Sequence, residues 1–139
     1  MEAEDFNQEN LASVEWEDGW FRFCNFTGFA MEGGHVTSDF VGCRFKDLDL
    51  YMTMFNIVNF TDCLFTDCVF RGTAFPDCRF VECRLINCRF IENNLGGDCD
   101  FDGAVAYGCQ IEGCEGFAAL TVGEPRRAGT VFPTPDPKA

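Results

Sequence analysis

The stretch FTDCLFTDCVFRGTAFPDCRFVECRLINCRF, Phe60 to Phe90, decides the fold. Every fifth residue in it is Phe or Leu: Phe60, Phe65, Phe70, Phe75, Phe80, Leu85 and Phe90. Two places before these centres stand Cys63, Cys68, Cys78, Cys83 and Cys88, with Thr73 in the same slot. Working outward, Phe40, Phe45, Leu50 and Phe55 precede in frame and Leu95 follows; Cys43 takes the cysteine slot, as do Ser38, Leu48, Thr53, Val58 and Asn93. Once one cysteine sets the frame, five more falling into it by chance has odds of about one in 3000. Upstream, Phe6, Leu11, Trp16, Phe21, Phe26, Met31 and Val36 keep the spacing, and a four-residue step then leads to Phe40. Downstream, a six-residue step across Gly96 and Gly97 leads from Leu95 to Phe101, followed by Ala106, Ile111 and Gly116. Cys24, Cys99, Cys109 and Cys114 also stand two before a centre, so all ten cysteines share one slot.

A period of five matches neither the 3.6 of a helix nor the 2 of a strand. A chain that turns a corner every five residues can still point its central Phe or Leu and its small residue inward, with Gly, Asn and Asp at the corners. In this pattern the segment resembles the pentapeptide-repeat family, whose unit is a small residue such as Ala or Cys, a polar residue, Leu or Phe, and two more polar residues. The match runs from about residue 38 to 116, and more weakly from 19 to 37. The resemblance implies an all-β fold: a right-handed quadrilateral parallel β-helix of about five coils, four pentapeptides to a coil. Stacked coils would put Cys24, Cys43, Cys63 and Cys83 in one file, Cys68, Cys88 and Cys109 in another, and Thr53, Thr73 and Asn93 in a third. The expected organisation is an acidic N-terminal segment or cap over 1–15, the β-helix over 16–117, and a C-terminal cap and Pro-containing tail over 118–139.

Composition narrows the function classes. The chain has 139 residues, 17 Phe, 10 Cys, a single His and a net charge of -13. Such acidity repels nucleic acid backbones and anionic membrane surfaces, so neither is an expected partner. No apolar run approaches the roughly 18–20 residues that cross a bilayer. The N-terminus MEAEDFNQEN has neither the basic nor the apolar region of a leader, so a cytoplasmic location and reduced thiols are expected.

Chemistry finds little to work with. There is no CxxC pair for a structural zinc site, and the cysteine spacings follow from the repeat. His35 is the only imidazole and Ser13 and Ser38 are the only serines, so no nucleophile and base set presents itself. Asp98-Cys99-Asp100-Phe101-Asp102-Gly103 matches the first half of a calcium loop, but Cys109 stands where the bidentate Glu belongs. Asn25-Phe26-Thr27 and Asn59-Phe60-Thr61 are glycosylation acceptors only in a secreted chain. The expectation is no catalytic residue, no cofactor and no metal: not an enzyme.

Function then falls to the outward slots. Tyr51, Met52, Met54 and Ile57 place apolar side chains on consecutive sides, with Leu64 and Val69 at the margin, and form the candidate interaction surface. Asp47, Asp62, Asp67 and Glu82 form a candidate acidic stripe, interrupted by Arg44, Lys46, Arg79 and Arg84. The leading expectation is a non-catalytic protein–protein interaction module, in an adaptor, effector-partner or immunity-like role, whose partner is another protein or a second copy in a homodimer. The alternative comes from the quinolone-resistance members of the resembled family: an acidic DNA mimic that binds a type II topoisomerase such as DNA gyrase.

Overall fold

The computed structural model of the chain describes residues 2–116. The expected tail over 118–139 lies outside them. Most pentapeptides form a short strand whose central residue is buried between two outward neighbours, as in Asn59–Thr61, Leu64–Thr66 and Val69–Arg71. Two residues after the centre the backbone turns a corner in the left-handed region, with φ of 54° to 56° at Asp47, Met52, Ile57, Asp62, Asp67, Asp77, Glu82 and Asn87. The corner N–H donates to the next coil, as Asp62 N–H does to the Val81 carbonyl at 2.8 Å and Asp67 N–H to the Ile86 carbonyl at 3.0 Å. Ladder bonding therefore continues around the bend.

Four faces result. Face A stacks Trp20–Arg22, Asp39–Val41, Asn59–Thr61, Arg79–Val81 and Val105–Tyr107. Face B stacks Asp5–Phe6, Asn25–Thr27, Arg44–Lys46, Leu64–Thr66, Arg84–Ile86 and Gln110–Glu112. Face C holds Ala30–Glu32, Asp49–Tyr51, Val69–Arg71 and Arg89–Ile91; face D holds His35–Val36 and Met54–Phe55, extended by single parallel bridges at Ala74 and Asp100. Every pairing is parallel, and four coils are complete, with three sides of a further one below.

The interior is four columns of large residues. On face A, Phe21, Phe40, Phe60 and Phe80 stack nearly face to face at 5.1, 5.4 and 4.9 Å. Phe6, Phe26, Phe45 and Phe65 do so on face B, Phe70 and Phe90 on face C, and Phe55, Phe75 and Phe101 on face D. Side chains in the cysteine slot fill the space between columns and bond upward: Cys83 Sγ donates to the Phe60 carbonyl and Cys78 Sγ to the Phe55 carbonyl, at 3.3 and 3.0 Å. Buried Thr53 and Thr73 donate likewise to the Gly33 and Leu50 carbonyls, which satisfies hydroxyls that would otherwise be costly to bury. Face C shows volume compensation: where the centre shrinks to Met31 or Leu50, the preceding slot holds Phe29 or Leu48 in place of cysteine.

Three expectations are corrected at one place. Leu95 is 85% exposed and Asn93 is outside the core. Their places are taken by Phe101, stacked 5.1 Å from Phe75, and by Cys99, whose Sγ donates to the Phe70 carbonyl. Pairing runs at 20 residues from Asn59 to Arg79 but at 26 from Arg79 to Val105. The apparent repeat at Asn93–Leu95 is therefore part of a six-residue insertion. Asn93 Oδ1 accepts the N–H groups of Leu95 and Gly97, a closed turn that leaves Leu95 nothing to pack on. The same shift moves Cys109 into the file of Cys83, where Gln110 N–H bonds the Cys83 carbonyl, and sets Cys114 against Cys88. It also takes one apparent repeat, a quarter of a coil, out of the winding, which leaves four complete coils and three sides of a fifth.

Residues 2–19 cover part of the upper end. Asp5–Phe6 pairs with Asn25 and Phe26, Gln8 Oε1 accepts the Ala30 N–H, and the Trp16 carbonyl accepts the N–H groups of Thr37 and Ser38. The upper strand edges on those sides are thus occupied.

Candidate interaction surface

A corner in the left-handed region suits Gly, Asn and Asp, and is a genuine outlier for a β-branched residue. Asp47, Asp62, Asp67, Asp77 and Asn87 obey this at the described corners, and Gly28, Gly33, Gly42, Gly72, Gly103, Gly108 and Gly113 do so without a side chain. Met52, Ile57, Phe23 and Glu82 depart from it, at φ 56°, 55°, 56° and 54°, and Ile57 alone of these is β-branched. Phe23 has a packing reason: its ring covers Gly42, and the Arg22 guanidinium lies 5.7 Å from its centre. Ile57 is 62% exposed and Met52 47% exposed, so burial does not offset the backbone cost of either.

Of the candidate surface, Met52 turns the corner from face C to face D, Met54 begins the face D strand at 42% exposure, and Ile57 turns the next corner to face A. Leu64 and Val69 do not join them: Leu64 lies on face B between Arg44 and Arg84, and Val69 on face C between Asp49 and Arg89. Tyr51 is half-buried on face C, and its hydroxyl oxygen accepts the Asn94 N–H at 3.2 Å. The insertion thus folds back up the face to reach a strand two coils above. Together Ala30, Met31, Glu32, Asp49, Tyr51, Arg71 and Asn94 line an open groove of about 570 Å³, with Arg71 Nε donating to Asp49 Oδ1 at 3.1 Å in its floor.

The candidate acids stand at two corners flanking face B. Asp62 and Glu82 are one coil apart at the A–B corner, and Asp47 and Asp67 at the B–C corner. Between them face B presents Arg44, Lys46 and Arg84 outward. The acids frame a basic strip and do not make a continuous negative band.

Exposed Trp20, Phe23 and Val41 on and beside face A were missed by the reading of the sequence. The repeat frame could have found them, since it places Trp20 one before and Phe23 two after the centre Phe21. His35 lies at the surface with Nδ1 3.3 Å from Glu17 Oε2. Among the described residues no three His, Cys, Asp or Glu side chains gather as a metal would need, and no helix is long and apolar enough to cross a membrane.

Residues 55–90 match the family model described as pentapeptide repeats, in eight copies. Among solved structures, a pentapeptide repeat protein, Rfr23 from the cyanobacterium Cyanothece 51142, is similar at a TM-score of 0.57 and 12% identity, over 77% of this chain and 92% of that one. Full-length QnrB1, a plasmid-mediated fluoroquinolone resistance protein, matches at a TM-score of 0.26 and 15% identity over 82% and 75%, a likeness too slight to argue from. No curated protein matches the sequence.

Proposed function

Pentapeptide repeats build this chain into a four-sided β-solenoid, and from that premise we propose that it is a non-catalytic protein–protein interaction module working through the edge of face D. The observation that carries this reading is Ile57, a β-branched residue held at φ 55° while 62% exposed. Strain of this kind persists where the surroundings or a function require it, and the residue stays mostly exposed. Met52, under the same strain, and Met54 extend the apolar surface around the corner. The mimic reading draws less support, because Arg44, Lys46 and Arg84 stand between the two acidic corners.

The test pairs two variants in one assay. Protein captured from the source cell by the wild type is titrated against Met54→Lys/Ile57→Asp, and against a variant with Asp47, Asp62, Asp67 and Glu82 neutralised. The apolar variant should abolish capture and keep its circular dichroism, since a carboxylate already occupies the same corner one coil below, at Asp77. Loss in the acidic variant alone, weakening with salt and accompanied by inhibition of gyrase supercoiling, is the opposite result and would establish the mimic.

A further inference from the structure

The six-residue insertion is the largest departure from an otherwise even winding. In solenoids, insertions collect on one face, often the binding face. Here the insertion walls one side of the face C groove, through the bond from Asn94 N–H to Tyr51 Oη.

Outward side chains on this face stand in columns set by the strand register. One is Glu32, Tyr51, Arg71 and Ile91; beside it run Ala30, Asp49, Val69 and Arg89. Arg71 is tied across the columns to Asp49. The carboxylate of Glu32, one coil above Tyr51, makes no hydrogen bond or ion pair among the described residues. The groove therefore offers an unpaired carboxylate beside an aromatic ring, with its own cation already neutralised. A planar guanidinium fits that arrangement, since it pairs bidentately with a carboxylate while stacking on a ring. The surrounding field favours a cation as well, the chain carrying a net charge of -13.

We propose that the face C groove is a recognition pocket for an arginine side chain of the partner protein, with Glu32 as its anion and Tyr51 as its wall. This rests on the interaction-module reading and gives that partner a chemistry: a basic segment that meets the groove and the Met52–Met54 corner together.

The probe is a fluorescein-labelled Gly-Arg-Gly-Arg-Gly peptide, compared with lysine and citrulline counterparts by fluorescence anisotropy. Citrulline keeps the shape of arginine without its charge. Glu32→Gln should weaken the arginine peptide by about tenfold, the worth of one charge-assisted hydrogen bond. Asp62→Asn/Glu82→Gln removes more charge at a distant corner and should change binding by less than about twofold. The lysine peptide should bind more weakly than the arginine one, and the citrulline peptide not measurably. Equal loss in the two variants would mean general acidity, and equal binding of arginine and citrulline peptides would mean no guanidinium site; either overturns the proposal. Met54→Lys/Ile57→Asp separates this inference from its premise. If that variant loses the captured partner while the wild type shows no arginine preference, the groove inference alone fails. If it keeps the partner, the apolar-edge reading fails whatever the peptides do.

Discussion

Replacing Phe60 by alanine should cost more stability than replacing Phe65, although both are buried centres one side apart. Phe60 is stacked on both sides, with Phe40 at 5.4 Å and Phe80 at 4.9 Å, and meets Phe45, Phe55 and Phe65 at steeper angles. Phe65 is stacked on Phe45 at 4.6 Å, but its neighbour one coil down is Leu85. Truncating a buried Phe costs about 3–5 kcal/mol, including the cavity it leaves. Backbone ladders above and below hold the coils at strand spacing, so the cavity cannot close and the upper half of that range is expected. An aromatic pair adds about 0.5–1.5 kcal/mol beyond area. Phe60→Ala should therefore exceed Phe65→Ala by about 1 kcal/mol, the value of the second stack. Guanidinium unfolding followed by far-ultraviolet circular dichroism and by Trp fluorescence measures both variants, and coincident transitions establish that each is two-state. A loss below about 1 kcal/mol for Phe60→Ala, or a larger loss at Phe65, would refute the column arrangement.

Thiol labelling of the native protein should be rapid at Cys99 and Cys114 at most, since the other eight cysteines are buried; fast modification of most of the ten would contradict the inward slot. Burial pushes the Cys78 thiol up to about 12 from 9.0, so the native state keeps a proton that the unfolded chain loses. Stability from this source is fully present below about pH 9 and should fall as pH rises toward 12, which unfolding midpoints across that range will follow. Gly72→Ala should cost more than Gly28→Ala. Both place a side chain at positive φ, at about 1–2 kcal/mol, but a Cβ at Gly28 meets nothing within 4 Å while one at Gly72 meets the Asn93 side chain that pins the insertion. Equal losses in thermal unfolding would show that Asn93 moves aside freely.

How far the candidate surface could be read in advance depended on which physical rule placed each residue. Met52, Met54 and Ile57 were legible as outward because a five-residue winding assigns each slot to inside or outside. That two of them occupy left-handed corners was not legible, because the sign of φ belongs to the closed turn. The groove was hidden altogether: Tyr51 and Asn94 are 43 residues apart, and their contact exists only because a loop climbs two coils. Leu95 misled for a plain reason. It stands five residues after Phe90, and local spacing cannot tell a sixth-residue phase step from an insertion of six.

The sequence by itself determined the winding. Repetition of one large and one small inward residue every five positions leaves a chain that turns corners as the arrangement that buries both, and it assigned all ten cysteines to a single slot. Tertiary structure decided what rested on comparing distant coils: where the 26-residue coil falls, which thiol file Cys109 joins, and that Cys99 and Phe101 replace Asn93 and Leu95 in the core. Repeat chemistry acts between neighbours five residues apart, whereas register is settled by ladder bonds and ring stacks between coils about twenty residues apart, and those form only once the coils are laid on one another.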